Sequence, residues 1–273
     1  SIKEISMSTF YNSERLKYNQ MNYNNDVELD NFCSQCLLVI NAVGPSFKIN
    51  DKIALHALRN NCHYIDIGGY GILRDLLKPY EKSIEAQKLC FIIGVGWMPG
   101  ISGVFSKTII ETHLNSPENT NFNIYYGAVD NWSYSSTYDL AASSMGKTRS
   151  YVYSHGKEIQ VSPFRYTHHK FFPFIGHKKI CMPSFDEQLT QLATSLKQIR
   201  KISTFIMLND YISMGKFMFI KIFYKHNLNK ATLMLQDDYQ RLVKKENKWG
   251  SVICQVSKIE PERKICLLYT CNA

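Results

Sequence analysis

Apolar residues gather near the amino terminus into three continuous runs, LLVINAVGP (residues 37–45), YIDIGG (64–69) and FIIGVGWMPG (91–100), each ending at glycine turns. Their first residues lie 27 positions apart, a spacing that suits one strand plus one crossover helix. Runs of Val, Ile, Leu and Phe without polar alternation fit parallel strands covered by helices on both faces. Ligands in such sheets bind outside the carboxyl ends of the strands. The pattern therefore predicts an α/β fold with its site at the three glycine-bearing turns.

The intervening segments have helical periodicity. Residues 50–61 place Ile53, Ala54, Ala57 and Leu58 on one face and stop at Asn60-Asn61, an Asn-capped crossover helix. Residues 75–88 repeat the pattern less cleanly, with Pro79 expected to open the helix rather than interrupt it, and residues 101–112 follow as an apolar helix with Ser102, Gly103 and Ser106 for close packing. After a turn-rich linker at 115–120, residues 122–129 alternate like a strand. Residues 150–153 and 158–161 flank His155-Gly156-Lys157 as a hairpin. Residues 185–202 and 206–223 read as helices, and 251–259 and 265–269 as strands. Strands and helices mixed in this way predict an α+β second domain.

A chain of 273 residues with 45% hydrophobic content can bury the core of one large or two modest domains. Of the eight cysteines only Cys33 and Cys36 form a close pair, and no second pair or histidine set completes a zinc site, so no metal is expected. Cys62, Cys90, Cys254 and Cys266 sit at apolar runs as buried thiols do. With no secretory signal at the start of the sequence, the cysteines read as those of a cytoplasmic protein. Net charge is −3 over residues 1–144 and +12 over 145–273. No nucleic-acid motif accompanies the basic half, and no nucleic-acid partner is expected. Residues 205–223 are long enough to span a membrane, but Asp210, Lys216 and Lys221 interrupt them. Each charge at a helix centre costs about 2.5–3.5 kcal/mol on insertion, so no span is expected. The segment reads either as a packing helix or as one lying on a membrane surface through Lys216, Lys221 and Lys225.

The series VINAVGP (39–45), HYIDIGG (63–69) and IIGVGWMPGISG (92–103) resembles the nucleotide-binding half of the saccharopine dehydrogenase-like oxidoreductases. That family has a strand ending in N-x-x-G-P, a Tyr-Val/Ile-Asp strand, and a G-x-x-P-G loop before a helix. The resemblance is good over residues 36–112 and continues thinly through 127–144 and the hairpin at 155–157. It implies a Rossmann-like, doubly wound parallel sheet in residues 1–114 and a second α+β substrate or dimerisation domain in 115–273. The implied reaction is NAD(P)-dependent reduction of an imine formed from an amine or amino acid and a keto acid, or of a related double bond. The cofactor would be NADP or NAD and the substrate a small amino- or imino-acid-like molecule; a homodimer is compatible with the resemblance.

Residue by residue, the resemblance places Asn41, Val43, Gly44 and Pro45 at the turn bordering the cofactor, and Asp66, Gly68 and Gly69 at the next. Glycine permits close backbone approach, and Asn41 offers both donors and acceptors. Asn41 is equally suited to satisfying its own turn, and Asp66 to binding a ribose, orienting an amine or capping a turn. Two departures stand out. Met98 replaces the acidic residue many relatives carry in the last loop. Nothing before Cys33 matches the family's opening strand and glycine-rich phosphate loop, so the nucleotide-binding half reads as amino-terminally incomplete, with residues 2–6 as a strand remnant and Arg15 or Lys17 as candidate phosphate partners. The Gly94–Gly100 loop does not replace the missing one, because its third glycine comes one position late and Pro99 lacks an N–H. The chain as given should therefore bind the cofactor poorly. No catalytic residue is assigned: His168-His169 read as part of a solvated loop and Lys178-Lys179 as a solvated pair. The alternatives are a cofactor-free binding protein that keeps the cleft, or a portion of a longer reductase.

Overall fold

The three glycine-terminated runs become three parallel strands in a computed structural model of the chain: β1 Leu38–Asn41, β2 His63–Asp66 and β3 Phe91–Ile93, in that order across the sheet. The structure describes residues 14–69, 71–113, 120–146, 150–155, 157–173, 175–184, 188, 191–193, 199–258 and 263–271. The register sets Asn41 beside Asp66 and Asp66 beside Ile93, so all three turns open at one edge, as the spacing predicts. Around the strands run α1 Asp26–Cys33, α2 Ser46–Ile49, α3 Lys52–Arg59, α4 Gly71–Leu77, α5 Glu81–Ala86 and α6 Ile101–His113. Helix α3 ends at Asn60, and Asn61 takes the left-handed conformation at φ 56°. Pro79 lies in a 3-10 turn, Lys78–Tyr80, that divides the helical segment expected over 75–88, because proline cannot donate to the helical ladder.

Val39 and Tyr64 point inward from this sheet into a core with Leu29, Ile53, Ala57 and Leu73. The alternate residues face the other way: Leu38 is 41% exposed, Ile40 62% and Ile92 47%. The described residues therefore cover one face of the small sheet, where the unbroken apolar runs suggest two.

The second sheet has eight strands: β4 Thr120–Val129, β5 Ser150–Ser154, β6 Lys157–Val161, β7 His168–Phe172, β8 His177–Ser184, β9 Ile199–Leu208, β10 Trp249–Lys258 and β11 Arg263–Cys271. Strand β4 lies between β10, antiparallel, and β9, parallel. Period-two alternation divides its side chains. Phe122, Ile124 and Tyr126 join Ile109 and Ile110 of α6 in one core, and Tyr125 joins Phe205 and Ile253 in another. The hairpin of β5 and β6 forms where predicted, with His155 at φ 48°.

Helices α7 Tyr134–Gly146, α8 Pro163–Tyr166, α9 Tyr211–Phe223 and α10 Leu228–Val243 complete the described elements. Several expectations are corrected here. Residues 199–202 are strand, not helix, because they pair with β4 and β5 and carry Ile199 and Ile202 into the same core as Phe122. The apolar stretch from 206 is divided: 206–208 finish β9, and α9 starts after Asp210, whose carboxylate accepts from Ser213 N at 2.8 Å. Residues 185–187, 189–190 and 194–198 of the helix expected over 185–202 lie outside the described residues, as do residues 2–6. His168 and His169 sit in β7 rather than in a loop, with the His168 ring edge-on to Phe205 at 4.8 Å. Lys179 is 1% exposed, not solvated, and Cys90 is exposed where a buried thiol is expected. Among the described residues no helix is long and apolar enough to cross a membrane.

Candidate functional site

At the carboxyl edge of the small sheet, three side chains close a buried hydrogen-bond network. Asn41 Nδ2 donates to Asp66 Oδ2 at 2.8 Å and to the Tyr64 hydroxyl at 3.1 Å, while that hydroxyl donates to Asp66 Oδ2 at 2.5 Å. The second oxygen of Asp66 accepts Gly68 N at 2.9 Å, and Asn41 Oδ1 accepts Val43 N at 3.0 Å. Burial, reinforced by the bond to Asp66, pushes the Tyr64 phenol far above its ordinary range, so it stays a donor. This network fixes both turns: strand positions two apart share a face, so Tyr64 and Asp66 meet Asn41 across the register.

Beyond that edge lies a cleft of about 510 Å³ between the two sheets. One wall is the small sheet's carboxyl edge, with Asn41, Val43, Gly44 and Gly68, joined by Gly96, Trp97 and Met98 of the third turn. The facing wall takes Tyr126–Ala128 from β4, Ile206–Leu208 from β9 with Asn209 just after it, and side chains of α7, α9 and α10. Two carboxylates, Asp139 and Asp238, and several serine hydroxyls line it; no lysine or arginine does so among the described residues. The Trp97 indole N–H is shielded from solvent and has no acceptor among the described residues. Trp132 stacks on Tyr239 with ring centroids 4.7 Å apart, and burial followed by the nearby Asp238 charge raises the Tyr239 phenol above its ordinary range.

The two walls touch through α2 and α7. Asp139 Oδ2 accepts Ser46 N at 2.9 Å and its Oδ1 accepts Phe47 N at 3.2 Å, so a carboxylate from α7 takes up the first amides after the Gly44-Pro45 turn. The Lys48 ammonium lies over the Tyr138 ring at 4.5 Å. A Cβ on Gly44 would come within 2.8 Å of Ser135 Cβ, so glycine here lets α7 approach. Gly69 sits at φ +65°, where its turn needs a residue without a side chain.

The floor is tied by charge. Arg241 makes a two-pronged contact with Asp210, at 2.7 and 2.9 Å, and donates to Asp238 at 2.9 Å. Lys216 reaches Asp238 at 3.3 Å and Asp237 at 2.8 Å. Burial alone would raise the Asp210 carboxyl, but the hydrogen bonds from Arg241 and Ser213 outweigh it and hold the group well below the ordinary carboxylate range. Lys179 donates to Asn209 of the lining at 2.6 Å and to Glu246 at 3.1 Å.

Of the residues singled out from sequence, Asn41, Val43, Gly44 and Gly68 line the cleft, whereas Pro45, Asp66 and Gly69 do not. Arg15 and Lys17 are exposed and do not line it. Sequence reasoning missed Asp139, Ser133, Ser135, Ser136, Asp238 and Tyr239. For α7 a signal existed: Ser133 Oγ accepts Ser136 N at 3.2 Å, a helix-starting serine followed by Thr137, Tyr138, Ala141 and Met145 on a buried face.

No profile of a known protein family matches the sequence, and no curated protein matches it. Among solved structures, apo histidine-tagged saccharopine dehydrogenase (L-Glu forming) from Saccharomyces cerevisiae superposes with a TM-score of 0.60 at 15% identity, over 93% of this chain and 75% of that one. A dehydrogenase (MviM) from Clostridium difficile gives 0.36 at 7% identity, over 90% and 65% respectively. The first likeness establishes the fold: a dehydrogenase-type α/β architecture with a Rossmann-like parallel sheet and a separate mixed sheet.

Proposed function

We propose that the chain is an oxidoreductase of saccharopine dehydrogenase type that holds a small amine- or imine-bearing substrate in the cleft. The observation that carries this reading is the position of the cleft, at the carboxyl edge of a parallel sheet and against a second sheet. On this reading residues 1–114 form the nucleotide side and 115–273 the substrate side, with α6 packing across onto the latter. The two carboxylates of the lining, Asp139 and Asp238, are already engaged by the Ser46 and Phe47 amides and by Arg241 and Lys216, so a substrate amine would have to compete with those contacts or use the serine hydroxyls beside them.

A nicotinamide cofactor, NADP or NAD, would supply the hydride. The described residues do not fit its pyrophosphate. The lining has carboxylates and no cation, the Ser46 and Phe47 amides are already taken by Asp139, and both Asp66 oxygens accept internal bonds. Gly44 and Gly68 lie against Ser135 and Ser46 rather than against open space. No step is therefore derived through the cofactor. These same observations favour a second reading, a cofactor-free protein that binds amines in the cleft. Fluorescence titration of the chain with NADPH and NADH, alone and with amino acids, separates the two. Cofactor binding strengthened by an amine supports the oxidoreductase. Amine binding that ignores the cofactor supports the second reading, and an absence of both refutes the cleft as a site.

A further inference from the structure

We propose that the outer face of α9, with the basic tip that follows it, seats this protein on an anionic membrane surface. Helix α9 is apolar on two sides. Ser213, Phe217 and Ile220 face inward, with Phe217 and Ile220 packed beside Ala231 and Leu235 of α10. Ile212, Gly215, Phe219, Ile222 and Phe223 fall within about 100° of one another on the opposite side of the helical wheel. That side faces solvent: Ile212 is 52% exposed, Ile222 64% and Phe223 65%. At its carboxyl end the rings of Phe219, Phe223 and Tyr224 cluster, with centroids 4.6 and 5.5 Å from Phe219. A large exposed apolar stripe on one helix is a docking surface rather than ordinary surface scatter.

Charge selects the partner. Residues 211–230 contain four lysines and His226 but no acidic residue. Lys216 is neutralised by Asp237 and Asp238 on the inner side. Lys225, His226 and Lys230 are exposed around the aromatic tip, with the Lys230 ammonium 6.0 Å from the Tyr224 ring centroid. An apolar helix face rimmed by cations suits the interface of an anionic bilayer, where rings enter the headgroup region and lysines meet lipid phosphates. A second copy packed on the same face by two-fold symmetry would oppose these cations to one another. The helix lies on the surface; at 13 residues it does not cross.

Co-sedimentation of the full chain with lipid vesicles tests this. Vesicles of phosphatidylcholine with about one third phosphatidylserine should bind the protein, and pure phosphatidylcholine should bind it far less. About 0.5 M salt should release most of it. Lys225→Glu with Lys230→Glu should weaken binding by about fivefold or more per site. Ile222→Ser with Phe223→Ser should weaken it at least as much, and circular dichroism should show each variant folded. Equal binding to both vesicle types, or none, overturns the proposal. So does light scattering that shows a dimer dissociated by Phe223→Ser, which would make this face a contact between copies.

Discussion

Asp139→Ala isolates the contact that joins the two walls of the cleft. The wild-type carboxylate accepts two backbone N–H groups, at 2.9 and 3.2 Å, and is itself buried. A hydrogen bond to a charged acceptor contributes about 1.5–3 kcal/mol, but the second bond is long and the Ser46 and Phe47 amides are only partly shielded, so water can replace some of the loss. Removal of an ordinary helix cap costs about 1 kcal/mol. The expected net cost is therefore about 2 kcal/mol, or roughly 4–8 °C in Tm. Asp139→Asn, which keeps one acceptor oxygen but turns an amide NH2, a donor, toward the other N–H, should lose about half as much. Urea unfolding gives the stability change, and hydrogen exchange at Ser46 and Phe47 shows whether it is local. Those two amides should exchange at least tenfold faster in Asp139→Ala. Unchanged stability with both amides still protected would refute the reasoning, since the carboxylate would then not be what holds α2 against α7.

Gly44→Val should destabilise by about 1–3 kcal/mol through overpacking against Ser135, and Ser135→Gly in the same chain should recover most of that in thermal unfolding; failure to recover would place the strain elsewhere. Tyr64→Phe should cost about 1–3 kcal/mol in urea unfolding, because it removes a buried donor from Asp66. For Asp210 the folded carboxyl titrates below its unfolded value, so its contribution is present above the unfolded pKa of about 3.9 and is lost as pH falls below it. The urea midpoint should accordingly drop between pH 5 and pH 3 by less in Asp210→Asn than in wild type. Lys179→Met should shift Tm down by several degrees, since Glu246 and Asn209 lose their buried donor, whereas Lys178→Met on the exposed side of β8 should shift it little.

The small sheet was legible because its signals are local: three apolar runs, equal spacing, and turns that only glycine and proline tolerate. The common edge of the three turns followed from the same pattern. The cleft's second wall was not legible for a physical reason. Asp139 and Asp238 acquire meaning only when α7 and α10 pack against β4 and β9, and nothing in the residues around them specifies contacts with Ser46 or Lys216, 93 and 22 positions away. Strand β9 was missed at its start because Ile199, Ile202 and Phe205 match helical spacing as well as a buried strand. A strand buried on both faces of its sheet need not alternate. Asn41 and Asp66 were correctly picked out as polar residues at strand ends, yet their partners turned out to be each other.

That last result bears on how the scaffold could be specialised. In the described residues the turn at Asn41 is held from within by Tyr64 and Asp66, and the helix after it is held from without by Asp139. Neither group is free to change with a ligand unless an internal bond breaks. The carboxyl edge therefore behaves as a rigid wall. Variation in what the cleft accepts falls to lining residues outside this network, namely Trp97 and Met98 on one side and Ser135 of α7 on the other. Met98 packs against the apolar core beneath the larger sheet. A carboxylate at that place would have to be buried against that core or displaced into the cleft. The loop thus keeps its side of the cleft apolar, while the acidic groups of the facing wall, Asp139 and Asp238, are held by Ser46, Phe47, Arg241 and Lys216.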